Sequence, residues 1–352
     1  EGCDLATYNL QTGPQGYLPL RAFIANQVKR SAGMSVTPDD VLVTSGSLQG
    51  MDLINEALVG PGDTVIIEED NYGGVLTRLA RIGAHAEAIP LDDDGLRTDV
   101  LAERLADLAA RGITPRYIYL IPTVQNPTGT ILTEARRREV LDLAERYDVP
   151  IFEDDCYADL VFDRSRPPAL HAMDTTGRVA YLGSFSKSIA PALRVGYVVA
   201  PWPLLSRLLA LKTDAGTGAL EQFMLAEFCT EHFEARIDRV LPILEGKLDT
   251  LTTALEENFG TVAEFKRPKG GIFLWVKLPD AVDTTRLAQA AAAEGIAVNP
   301  GPEWSHGPEA SRHIRSCFAN PTEQAIRDGI AKLANVCFNE FGVPVRSANV
   351  AR

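Results

Sequence analysis

Short apolar runs and amphipathic stretches alternate along the first two hundred residues. Val41-Leu42-Val43, Thr64–Ile67, Ala86–Pro90, Tyr117–Ile121, Pro150–Glu153 and Val179–Gly183 are brief, apolar and bounded by turn residues, the signature of buried strands. Leu20–Lys29, Leu48–Leu58, Tyr72–Ile82, Asp99–Ala110 and Thr133–Tyr147 have helical spacing. Strand–helix alternation predicts an open, mostly parallel α/β sheet, whose ligands sit beyond the carboxyl ends of its strands. From Pro203 the pattern turns helical, over Pro203–Lys212, Leu220–Glu231 and Glu234–Asn258. A smaller α+β unit follows, with strands at Ile272–Lys277, Ile296–Val298 and His313–Cys317 and helices at Thr284–Ala293 and Glu323–Phe338. The expected division is an N-terminal arm and helix over residues 1–34, a large unit over 35–235 and a small C-terminal unit over 236–352 with a loose tail from 339. The chain opens Glu-Gly-Cys-Asp without a methionine, which reads as a sequence whose upstream residues are cut away.

Composition narrows the class. The 352 residues carry 34 basic and 47 acidic side chains, a net charge of −13, and this argues against a nucleic-acid partner. There is no apolar run of 18 residues, so no membrane helix is expected. Five cysteines (Cys3, Cys156, Cys229, Cys317, Cys337) with no C-x-x-C spacing suit a reducing, cytoplasmic setting without a zinc site. The five histidines form no metal-ligand pattern.

Chemistry concentrates at the predicted strand ends. Gly46 and Ser47 lie between a strand and a helix, a geometry whose free N–H groups hold phosphate. Gln125-Asn126-Pro127-Thr128-Gly129 follows a second strand and Asp154-Asp155-Cys156-Tyr157 a third; Asp155 reads as a surface acid. After a fourth comes Ser184-Phe185-Ser186-Lys187-Ser188, with Arg194 seven residues beyond the lysine. Hydroxyls and a guanidinium around one lysine make an anion site, and a lysine amine can condense with an aldehyde.

Those four motifs, in that order, resemble the fold-type-I aminotransferases that use pyridoxal 5′-phosphate (PLP), in the class I/II branch with 2-aminoadipate and aromatic aminotransferases and the effector domains of MocR-type regulators. The resemblance runs from Gln11 to the last helix. It implies a large, mostly parallel-sheet domain plus a smaller α+β domain, and transfer of an amino group from an L-amino acid to a 2-oxo acid by a ping-pong mechanism. Lys187 matches the lysine that binds the cofactor aldehyde, and Asp154 the carboxylate that pairs with the pyridine nitrogen. Tyr157 and Asn126 match the pair on the ring hydroxyl, and Tyr72 the stacking aromatic. Ser184, Ser186, Arg194, Gly46 and Ser47 match the phosphate donors. Arg315 matches the arginine for the substrate carboxylate, with Arg312 second. The resemblance also implies a cis Asn126–Pro127 bond and a homodimer. Thr12 and Leu48 depart from the tyrosine and glutamine common in this branch, and point to a specialised substrate range. Two other readings stay open: another PLP reaction on an amino acid (elimination, cyclisation or racemisation), and a MocR-type regulatory effector domain.

Overall fold

A computed structural model describes residues 13–344. The chain enters through helix α1 (Leu18–Ala32) and strand β1 (Val41–Thr44), then runs α2 (Ser47–Leu58), β2 (Thr64–Glu68), α3 (Gly73–Ile82) and β3 (His85–Ile89). A small hairpin of β4 (Leu91–Asp92) and β5 (Gly95–Leu96) leads to α4 (Thr98–Ala110) and β6 (Ile118–Leu120). Next come α5 (Glu134–Arg146), β7 (Ile151–Asp154), α6 (Leu170–Met173), β8 (Val179–Ser184) and β9 (Gly196–Val199). Helices α7 (Trp202–Leu211) and α8 (Ala219–Phe259) lead to β10 (Glu264–Phe265), β11 (Phe273–Lys277), α9 (Thr284–Ala293), β12 (Asn299–Pro300), β13 (His313–Cys317) and α10 (Glu323–Phe341).

The main sheet has the order β1-β9-β8-β7-β6-β2-β3. Strands β8, β7, β6, β2 and β3 are parallel, and β9 is antiparallel to both its neighbours. Both faces of such a sheet are covered, so its strands carry continuous apolar runs rather than alternation; every residue of β1, β2, β6, β7 and β8 is buried. The α/β fold expected from the pattern is therefore the fold observed. Parallel strands also bring the ends of β2, β6, β7 and β8 to one rim, which is where the polar motifs sit. The second sheet, β10-β11-β13-β12, is antiparallel throughout.

Three elements differ from the reading by periodicity. The segments expected as two helices form one 41-residue helix, α8, which carries Pro242 within it. Its buried side continues across the expected break, through Phe233 and Ile237 to Leu241 and Leu244, and this packing outweighs the helix-breaking residue. The strand expected at Ile296–Val298 lies later, at Asn299–Pro300, where it pairs with Arg315 and Ile314 of β13. The last helix extends to Phe341, into the expected tail.

Candidate active site

The rim is built from four turns. Asp154 closes β7, is 6% exposed, and burial pushes its carboxyl above the usual range against three donors that pull it down. The Tyr119 hydroxyl on neighbouring β6 donates to its Oδ2 at 2.7 Å, and the Cys156 N–H donates to Oδ1 at 3.3 Å. The third donor is the Cys156 thiol, which also lies in reach of Ser47. Asp155, expected at the surface, is instead 4% exposed and paired with Arg166 at 2.5 Å, both side chains buried. Alternation explains this: Asp154 and Asp155 point to opposite faces, and both faces here are covered.

Beyond β6 the chain turns through a cis Asn126–Pro127 bond. Asn126 is 2% exposed and fixed at both ends of its amide: Nδ2 donates to the Tyr157 hydroxyl at 3.2 Å, and Oδ1 accepts from Arg315 Nη1 at 3.1 Å. Glu68, at the end of β2, braces this turn. It accepts from the Ile121 N–H at 3.0 Å and the Gln125 side chain at 3.3 Å, and burial pushes its carboxyl up to about 8.

Arg315 reaches the rim from β13, on the second sheet. Its Nη2 donates to Asn299 Oδ1 at 2.9 Å, and its guanidinium lies 3.2 Å from the Trp304 ring centroid and 3.7 Å from that of Phe273. Burial lowers its pKa to about 10, and it forms no ion pair among the described residues. A guanidinium stripped of water, hydrogen-bonded to neutral amides and lying against rings, can receive an anion. Arg312, the second candidate, is spent on surface pairs with Asp280 and Glu309 at 2.6 and 2.7 Å. Tyr72 caps α3, and its ring stands 5.9 Å from that of Trp304.

The fourth turn follows β8. Lys187 is half-buried, with Nζ 5.8 Å from the Tyr157 ring centroid. The Ser186 N–H donates to Ser184 Oγ at 3.1 Å. Gly46 (φ 82°) precedes Ser47, the first residue of α2, and a Cβ there would collide with the Arg194 guanidinium. The backbone angle calls for glycine, and the missing side chain lets the guanidinium approach the helix N-terminus. All eleven candidate residues lie in the four turns, the start of α3 or β13. Thr12 lies outside the described residues; Leu48, in the first turn of α2, is half-buried.

Residues 4–333 match the family model for aminotransferase class I and II. The chain belongs to this family. It is an enzyme of amino-group transfer, and its cofactor is PLP. Aromatic-amino-acid aminotransferase 1 of Thermococcus litoralis is 32% identical over 96% of this chain and 82% of its own length. An uncharacterized HTH-type transcriptional regulator of Bacillus subtilis, YdfD, is 33% identical over 91% of this chain, which spans 65% of that protein. In structure the chain is similar to LysN, the α-aminoadipate aminotransferase of Thermus thermophilus, complexed with N-(5′-phosphopyridoxyl)-L-leucine, at a TM-score of 0.87 and 31% identity, covering 96% of this chain and 86% of that one.

The residues present suit an aminotransferase's cofactor. A helix N-terminus, an arginine against a glycine and two serines offer donors to a dianionic phosphate, while a buried carboxylate without a basic partner among the described residues suits a ring cation. Several contributors were not read from the sequence. Tyr119 falls within an expected strand, and Asn299 and Trp304 lie outside every expected element and motif. Lys212, with its side chain wholly buried, pairs with Asp214 at 2.7 Å and donates to Gln49 at 3.2 Å, and Gln49 in turn accepts the Ser45 N–H at 2.8 Å. That chain braces the turn between β1 and α2, and its only signal in sequence is a lysine ending an apolar helix.

Proposed function

We propose that this rim transfers an amino group from an L-amino acid to a 2-oxo acid in ping-pong fashion, with the following division of labour. Lys187 Nζ holds the cofactor and moves the proton at the substrate Cα. Asp154 holds a proton on the pyridine nitrogen. Asn126 and Tyr157 bind the ring hydroxyl, and Tyr72 covers a ring face. Ser184, Ser186, Arg194 and the N–H groups at Gly46 and Ser47 hold the phosphate, whose roughly two negative charges need several donors. Arg315 grips the substrate carboxylate, because a planar fork matches it bidentately. Bound there, PLP supplies an electron sink for the charge left at Cα.

One observation carries this reading. The line Tyr157–Asn126–Arg315 joins a contact for the cofactor ring to a desolvated guanidinium 189 residues from that asparagine in sequence. Nothing in packing alone calls for an arginine there, and a substrate carboxylate beside the cofactor does.

The proposed organisation is an arm over residues 1–34, a large unit over 35–235 and a small unit over 236–352, with α8 as the rod between the two units. A homodimer is supported by an exposed apolar stripe on α8: Leu220, Met224 and Phe228, four residues apart and 55%, 57% and 40% exposed. Light scattering should read a dimer; an active monomer would contradict it. Among the described residues no helix is long and apolar enough to cross a membrane. A cytoplasmic setting is supported by the four cysteines among the described residues, Cys156, Cys229, Cys317 and Cys337, all unpaired.

The test is 2-oxo acid formation from a panel of amino acids with 2-oxoglutarate as acceptor, for wild type and Lys187→Ala. Transfer by the wild type alone supports the assignment. Equal turnover by the variant would refute it. Cofactor binding without transfer from any donor would favour the regulatory reading, and racemised or eliminated product the other PLP reactions.

A further inference from the structure

Asp154 is an acid in an awkward place. It is buried, and among the described residues it has no ion-pair partner. The titratable groups around it are Glu68 on β2, Tyr119 on β6, the adjacent Asp155 (on the opposite face) and Cys156, and the Tyr72 and Tyr157 phenols. Lys187 faces the Cys156 thiol. None of the groups facing the carboxylate brings a positive charge to it, so its ionisation rests on hydrogen-bond donors.

Among those donors the Tyr119 hydroxyl, at 2.7 Å, lies closer than the Cys156 N–H, at 3.3 Å. Tyr119 is the middle residue of β6 and 0% exposed. Its backbone pairs in register with Phe152 of β7, and its ring meets the Phe152 ring edge-on at 5.1 Å and 78°. Asp154 lies two residues beyond Phe152, on the same side of the strand. The hydroxyl therefore has one direction to point, and it meets Asp154 Oδ2 at 2.7 Å. Burial holds this phenol's pKa far above its ordinary value, so it remains a donor across the working pH range.

We propose that Tyr119 is a positioning residue for the cofactor: by occupying Asp154 Oδ2 it keeps that carboxylate ionised and turns Oδ1 toward the pyridine nitrogen. This rests on the reading of Asp154 as that nitrogen's partner. The hydroxyl weakens the carboxylate as a base, and the shared proton stays on the nitrogen. Without the hydroxyl, Asp154 takes up a proton at higher pH in the cofactor-free protein and draws the shared proton toward itself in the loaded one.

The experiment compares wild type, Tyr119→Phe, Tyr117→Phe and Asp154→Asn. Tyr117 is the matched control, a buried tyrosine just before β6 whose hydroxyl donates to Asn55 at 2.7 Å and does not touch Asp154. Cofactor-free protein is titrated with PLP labelled with ¹⁵N in its ring, giving Kd against pH and the resonance of the bound ring nitrogen. Tyr119→Phe should move the acid-side loss of affinity up by about one pH unit, the order expected for one hydrogen bond to a charged group. It should also shift the resonance toward that of unprotonated pyridine. Tyr117→Phe should leave both at wild type. The proposal fails if Tyr119→Phe keeps the wild-type pH limb and resonance, or if Tyr117→Phe moves them equally. A wild-type resonance in Asp154→Asn would instead sink the underlying assignment of Asp154.

Discussion

Replacing Arg315 by lysine probes how substrate is held. Lysine keeps the charge but loses the plane that lies between Trp304 and Phe273 and the fork that reaches Asn126 and Asn299 together. A hydrogen bond to a charged group contributes about 1.5–3 kcal/mol, so losing one arm of a bidentate grip costs about 2–3 kcal/mol of substrate binding. That corresponds to a fall of about 30- to 150-fold in kcat/KM. The assay measures kcat/KM for the preferred amino acid and for the matching amine that lacks the carboxylate. Arg315→Lys should slow the amino acid by that factor, leave the amine within about threefold, and leave the content of bound cofactor unchanged. A variant within threefold of wild type on the amino acid, or equal losses on both substrates, would show that Arg315 does not hold the carboxylate.

Two further outcomes follow from the geometry. Gly46→Ala sets a side chain at φ 82° and against the Arg194 guanidinium; the backbone strain costs about 1–3 kcal/mol. The flexible guanidinium end gives way before the fold does, so PLP affinity should fall at least tenfold while thermal unfolding stays cooperative. Glu68 titrates near 8 when folded, against an ordinary value of 4.5. The folded protein therefore binds the extra proton between those values, and stability present at low pH is lost as pH rises through 8. Urea unfolding from pH 5 to 8 should show wild type losing up to about 1.4 kcal/mol per pH unit relative to Glu68→Gln; parallel curves would contradict this.

Much of this rim was legible because its residues are local. Asp154 and Tyr157 share one turn, as do Ser184, Ser186 and Lys187, and the apolar strand before each fixes where the turn falls. Long-range partners were harder. Arg315 was placed through resemblance, since nothing near it in sequence marks the rings and amides that hold it. Asp155 was misread because the basic group that neutralises it, Arg166, lies eleven residues away across an irregular stretch. Tyr119 carries no local sign at all, because an aromatic in a buried strand is ordinary core, and only the register of β6 against β7 gives its hydroxyl a partner. The single span of α8 escaped for the opposite reason: Glu231, His232 and Glu234 crowd polar residues into one short stretch, a local break in the pattern, yet the buried face runs on through Phe233 and Ile237.

The most direct test of the central claim is to locate the cofactor on the chain. Protein loaded with PLP is reduced with borohydride, digested and analysed by mass spectrometry. The phosphopyridoxyl mass should appear on the peptide containing Lys187, and it should vanish when an amino-acid donor is added before reduction. The mark on any other lysine, or on none, would contradict the account.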